Sequence, residues 1–272
     1  MKTEKKKVLI LSLSCDIEEY VEEENVIKET WGERIFSGEL YNFDVLFMHS
    51  STKDYINYDK HIIFTKSKDG YYDTGEKTLK SLILLNEQNV NYDYILFTNT
   101  ATVINVDLVD SFVNSEFIDN DKVYGGKLIF PVSHVPFFRG DFILVHKTLI
   151  NEMIKTARNF MERKYPNDEV ITMSLIQYRK SLGAEVLNQF VELNSIDYFE
   201  DFNFNDADQY FYVNTKIRDI ERSNNDVMIC AMKLVWHYVD KKKCEVDFNK
   251  IVRKPTTVQL NNGLYRIEFI HE

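Results

Sequence analysis

Four groups of polar residues stand out from an apolar, aromatic-rich chain. Thr98-Asn99-Thr100 close a strand-like run, Tyr94 to Phe97, and the sequence turns apolar again at Val103-Ile104. Small hydrogen-bonding side chains at the carboxyl end of a buried strand stand where open α/β sheets bind ligands. The plainer reading is an ordinary strand-to-helix connection, with Asn105 or Asp107 capping the helix that follows. Arg139-Gly140-Asp141 break a second apolar run, Phe137 to Val145. Gly140 would allow close backbone approach to a ligand, while the two charges could read a ligand's hydroxyls or pair with each other. Lys216, Arg218 and Arg222 gather at an expected helix start, where cations and free backbone amides suit an anion. Asp219 and Glu221 are interleaved with them, as on a salt-bridged exposed face. Finally, Pro166-Asn167-Asp168 is a helix-start signal, and the simplest role for Asp168 is an N-cap.

These groups need elements to position them. Lys7 to Ser14, Phe43 to Met48, His61 to Thr65 and Tyr94 to Phe97 read as strands. Helices are expected over Asp16–Trp31, Gly75–Gln88, Asp107–Phe117, Thr148–Lys164, Glu169–Leu182 and about Ile217–Val239, from apolar residues at helical spacing. Val123 to Pro136, with two glycines and two prolines, reads as turn-rich. Val186 to Asn205 reads as strand and loop, and Val258 to Ile270 as a strand pair around Asn262-Gly263. Strands alternating with helices, then a mixed second half, point to one α/β domain over 1–272, with 206–272 as a helix and strand extension packed on it.

Composition narrows the function. With 272 residues, 44% of them hydrophobic, the chain can bury a large core. No window approaches the roughly 18 consecutive apolar residues that a membrane span needs. Met1 to Ser14 is basic and then apolar, but the apolar part is short and acidic residues follow, so it reads as a strand rather than a secretion signal. A net charge of −10 leaves no overall basic footprint for nucleic acid, although Lys241-Lys242-Lys243 exists. Three cysteines at unrelated spacings give neither a disulfide framework nor a metal motif, which points to a reducing, cytoplasmic setting. Neither G-x-x-x-x-G-K-[ST] nor G-x-G-x-x-G occurs.

Four separated segments resemble one family. Val26-Ile27-Lys28-Glu29-Thr30-Trp31-Gly32 is similar to the "aIRETWG" segment of β1,3-glycosyltransferases and their fringe-like relatives. Tyr71 to Leu79 resembles that family's "Y-x-N-L-T-x-K-T" helix start, Tyr92 to Asn105 falls at "yDyilKtDDDvfvn", and Asn167 to Val170 falls at the "EDV" element. The order holds from about Val8 to Gly183. The resemblance implies a GT-A fold: a Rossmann-like mixed central sheet flanked by helices, binding a nucleotide-sugar donor and a glycan acceptor.

The resemblance fails where the family binds its metal. The Asp-Asp-Asp motif falls on Asn99, Thr100 and Ala101, which lack the anionic oxygens that a hard divalent cation needs. The expected enzyme is therefore a metal-independent transferase, with Mn or Mg doubtful, and some bacterial fringe-like proteins resemble it in this departure. Without a metal, the leaving diphosphate falls to cations or amides. Lys216, Arg218 and Arg222 resemble an "R-x-K … R" segment of that bacterial group, with Asn214 where an arginine is expected. The resemblance further implies donor contacts from Ser12 and Ser14 at the end of strand one, Lys77, Thr98, Asn99, Thr100, and the Arg139-Gly140-Asp141 break. Inverting transfer needs a carboxylate base; the family's position maps to Glu169, and Asp168 is the alternative. His237 falls late in the chain, as the family's third metal ligand does, but a lone histidine on an aromatic-rich helix is more often packed or superficial. Two other functions fit the sequence: a phage-type transferase acting on modified nucleic acid, and an inactive nucleotide-sugar-binding module.

Overall fold

The computed structural model describes residues 4–115, 123–129, 137–161, 164–181, 190–193, 195–196, 209–215, 254–259 and 265–270, and positions 229, 232, 233, 235–237 and 240. Its centre is three parallel strands. β1 (Val8–Leu13) lies between β2 (Phe43–Ser50) and β5 (Tyr94–Asn99). Beyond β2, β4 (Ile62–Thr65) adds in parallel and β3 (Tyr55–Asn57) closes that edge antiparallel. On the other side β8 (Phe137–His146) runs antiparallel to β5 and to β7 (Tyr124–Ile129), which makes the sheet mixed. β9 (Phe190–Glu192) and the pair β12 (Lys254–Gln259) and β13 (Tyr265–Ile270) continue it to ten strands. A second sheet of three strands joins β10 (Ser195–Ile196), β11 (Tyr212–Asn214) and β6 (Thr102–Ile104).

Side chains alternate across a strand, so a sheet covered on both faces needs apolar residues at every position. β1 shows this directly. Val8 and Ile10 join one core with α1 (Glu18–Glu29), α4 (Val106–Val113), Trp31 and Phe211. Leu9 and Leu11 join the other, against α3 (Thr74–Glu87), α5 (Lys147–Met161) and α6 (Asn167–Ser181). A single turn of helix, α2 (Glu33–Phe36), follows α1. Among the described residues, no helix is long and apolar enough to cross a membrane.

The structure corrects several expectations. Residues 124–129 form β7 rather than a turn. Gly126 is there because a Cβ would meet the Phe142 carbonyl oxygen at 2.5 Å, beside a register shift between Gly126 and Leu128. Glycine in a strand marks a close approach or bulge as readily as a turn. The Arg139-Gly140-Asp141 break does lie inside a strand, as read from the sequence, since β8 runs through it. β3 went unread because three residues carry little periodic signal. The helix expected to reach Phe117 ends at Val113, where the Asn114 amide donates to Asp110 O (2.8 Å) and the Ser115 hydroxyl donates to Phe112 O (2.7 Å). The Ser115 hydroxyl thus takes the Phe112 carbonyl that a longer helix would use. At its start, Asn105 is the cap, accepting from Leu108 N–H at 3.2 Å. β12 begins at Lys254, four residues before the expected strand pair. Most of the helix expected over 217–239 lies outside the described residues; those described between 229 and 240 are helical.

The starts of α3 and α6 are in close contact. The Gly75 N–H donates to the Tyr165 carbonyl (3.2 Å), and a Cβ on Gly75 would fall well inside contact distance of that same oxygen. Alanine in a helix gains up to about 1 kcal/mol over glycine, but a clash with fixed backbone costs about 1–3 kcal/mol. Gly75→Ala is therefore expected to lower the urea midpoint; an unchanged or raised midpoint would show that the contact yields.

Candidate functional site

The carboxyl ends of β1 and β5, the first half of β8 and the end of β11 meet at one edge of the sheet. They open a cleft of about 350 Å³ with Tyr20, the 69–74 turn and the start of α6. Antiparallel β8 brings Arg139, Gly140 and Asp141 to the edge where the parallel strands end. The polar break in that apolar run thus marks the segment where β8 leaves its partner β5 and borders the cleft.

Most polar groups beneath the cleft are held by one another. The Ser14 hydroxyl donates to Glu24, which also meets His49 Nε2 at 2.6 Å, while His49 Nδ1 meets Asp16 at 2.6 Å. Burial alone would lower the His49 pKa, but its two carboxylate partners outweigh that and hold it above its ordinary value. Lys77, buried, donates to Ser14 O (2.8 Å) and pairs with Asp69. The residue expected to reach a phosphate is thus tied to the end of β1. Ser12 is fully buried, its hydroxyl has no partner, and it does not line the cleft.

At the end of β5, the Thr98 hydroxyl donates to Asp141 O (2.8 Å). Asn99 Oδ1 accepts from Ala101 N–H and the Thr102 hydroxyl, both at 3.0 Å, and the Thr100 hydroxyl donates to buried Glu23. The Ala101 carbonyl accepts from Thr215 N–H (3.0 Å) and its hydroxyl (2.8 Å). These side chains do not fit a divalent cation: the Asn99 oxygen is doubly engaged, and Ala101 has no ligand atom. Among the described residues, no group of three or more His, Cys, Asp or Glu side chains could hold a metal.

Asp141 Oδ2 takes Arg139 Nε at 3.1 Å and the Asn214 amide at 2.7 Å. The two charges of the β8 segment thus pair, and Asn214 joins them. Gly140 passes so close to α6 that a Cβ would meet the Asn167 amide at 2.9 Å. Asp168 lines the cleft, whereas Glu169 does not. Burial pushes the Asp168 carboxyl above its ordinary range and the Glu169 charge adds to this; backbone N–H groups of Glu169, Asp168 and Gly140 oppose it without prevailing. Asp168 Oδ1 accepts from Glu169 N–H at 3.0 Å, but α6 begins at Asn167, so Asp168 lies within the helix and is not the N-cap that the sequence suggests. His237 is an exposed helical residue away from the cleft lining. Lys216, Arg218 and Arg222 lie outside the described residues; in sequence they follow Thr215, which is bonded to Ala101.

The cleft also holds Tyr20, Asp69, Tyr71, Thr74 and Asn167, which residue type and spacing alone do not single out. Asn167 Nδ2 is buried and without a partner, a signal available only from the fold.

No protein-family model matches this sequence, and no curated protein does. A solved glycosyltransferase involved in glycosylation of the major capsid of PBCV-1 matches in structure with a TM-score of 0.50 and 10% identity, over 82% of this chain and 98% of that one. The chain has the GT-A fold. A Drosophila β1,4-galactosyltransferase 7 variant, solved with manganese, UDP-Gal and xylobiose, aligns over 98% of this chain and 94% of its own at a TM-score of 0.39 and 12% identity.

The raised Asp168 pKa has a signed consequence. Its stabilising contribution is fully present below the ordinary aspartate range and is lost as pH rises through the higher folded value. Asp168→Asn should therefore unfold at higher urea than wild type at pH 8, with the difference closing as pH falls toward 4. A gap that is constant with pH would show that the carboxylate is not destabilised.

Proposed function

We propose that this chain is an inverting glycosyltransferase that moves a sugar from a nucleotide-sugar donor to a glycan acceptor without a divalent cation. The observation that carries the reading is the Asp168 carboxyl. It is half-buried at the start of α6, shifted upward, and lines the cleft at the carboxyl edge of a GT-A sheet. A base works best when its pKa lies near the working pH, and burial moves an aspartate in that direction.

In the proposed reaction the acceptor hydroxyl oxygen bonds to the anomeric carbon while the carbon–oxygen bond to the diphosphate breaks. The acceptor proton passes to Asp168. The donor lies over the ends of β1 and β5, where Ser14 and Asn99 line the cleft with Arg139 and Asn214. The diphosphate is met by Arg139, and the sequence offers Lys216, Arg218 and Arg222, which follow Thr215 in the chain, for the same role. Asn99, Thr100 and Ala101 support a metal-free site, because their polar atoms serve the turn and α1. Of the two carboxylates, Asp168 rather than Glu169 takes the proton, since only Asp168 lines the cleft. The net charge of −10 favours a glycan acceptor over a nucleic acid.

Thermal-shift screening against nucleoside diphosphates and nucleotide sugars, with EDTA or Mn²⁺, tests the donor. At least one should stabilise the protein in EDTA, and silence from all of them would sink the proposal. Asp168→Asn should cut transfer or donor hydrolysis by about 10²–10⁴-fold while leaving nucleotide binding intact. A larger loss in Glu169→Gln would reassign the base.

A further inference from the structure

Two aromatic side chains line the cleft among the described residues, and their surroundings differ. Tyr20 lies by Cys15 and Glu23, near the end of β1. Tyr71 lies by Asp168 and Glu169; burial and these two carboxylates raise its phenol pKa. Tyr71 is 69% exposed and Tyr72, next to it, 58%. Their rings stand edge to face, 5.1 Å between centroids and 80° apart.

Exposed aromatics are ordinary when scattered, but here one of an adjacent pair, Tyr71, lines a cleft, where ligands bind. Their turn is fixed. Asp73 N–H closes it on Gly70 O at 2.8 Å, and the Thr74 hydroxyl donates to Tyr71 O at 2.7 Å. The same Thr74 oxygen accepts from the Asn167 N–H at 3.2 Å. One hydroxyl therefore joins the tyrosine turn to the first residue of α6, one position before Asp168. Gly75 and Tyr165 clamp the same junction. The backbone that carries Tyr71 is thus tied to the start of α6, next to Asp168.

We propose that Tyr71, backed by Tyr72, is the acceptor subsite, taking the apolar face of a pyranose ring so that one of its hydroxyls reaches Asp168; this rests on the transferase reading above. A pyranose has C–H-rich faces and a hydroxyl rim. A phenol ring matches it, covering the face while its own hydroxyl stays wet. An aliphatic ligand would leave the adjoining Asp168 and Asn167 unanswered.

The test uses an array of immobilised gluco-, galacto-, manno- and xylo-oligosaccharides and chito-oligosaccharides, with nucleoside diphosphate thermal shifts measured in parallel. Wild type should capture at least one series. Tyr71→Ala should weaken that capture by at least about tenfold, Tyr71→Phe should keep it, and nucleotide binding should be unchanged in both. An array left empty by wild type, or glycan capture equal in Tyr71→Ala, overturns the subsite. So does a loss of nucleotide in place of glycan, which would assign the ring to the donor. Failure of wild type to bind any nucleoside diphosphate is read in the separate assay and removes the transferase reading itself.

Discussion

A polar group taken out of water must be given a partner inside the protein. At the carboxyl edge of this sheet the constraint applies to Ser14, Glu23, Glu24, His49, Lys77, Thr98, Thr100 and Asp141, all buried. Their mutual bonds are what shape the cleft. Lys77 holds the end of β1 through Ser14 O, Glu24 holds the Ser14 hydroxyl, Glu23 holds Thr100, and Thr98 holds the backbone of β8 at Asp141. Each bond crosses from one element to another. The strand ends therefore cannot shift singly, and the cleft floor is formed before any ligand arrives, as pre-organised sites require.

The same network relocates the charge at this edge. The end of β5 carries no carboxylate. The buried anions beneath it come from α1, and they are answered by hydroxyls and by His49 rather than left open to the cleft. Glu23 and Glu24 are consecutive on α1, and a helix turns about 100° per residue. They separate accordingly, Glu23 toward Thr100 just past β5 and Glu24 toward Ser14 just past β1. That division makes α1 a brace across the two strands that define the site.

Much of the fold could be read in the sequence because both sheet faces are covered. β1, β2 and β5 are near-continuous apolar runs, and α5 carries an apolar stripe from Leu149 to Phe160. What failed was a local signal with two meanings: Gly126 reads as part of a turn but lies in a strand where a Cβ would meet the Phe142 carbonyl oxygen. Arg139 and Asp141, a polar break in a strand-like run, pair within a continuous strand, one of the two readings the sequence allowed. The polar end of β5 was legible for the same reason that its start was: it is where the apolar run stops. The tie from Lys77 to the end of β1 was not, because Ser14 and Met48 are 63 and 29 residues away. Asn214 and Tyr71 join the cleft through similarly distant contacts.

The position of Asp168 follows from a missing side chain on another element. Gly140 sits in β8 opposite Asn167, and any Cβ would press on the Asn167 amide. With glycine there, α6 starts against the strand, and the Gly140 N–H reaches the Asp168 carboxylate. Two opposed effects then act on that carboxylate. The helix start and its N–H groups favour the charge, while burial disfavours it, and burial prevails. A Cβ at 140 would displace the Asn167 amide, which lines the cleft beside Asp168. The small residue in a charged break and the elevated carboxyl at a helix start are therefore one device, assembled from two segments 28 positions apart.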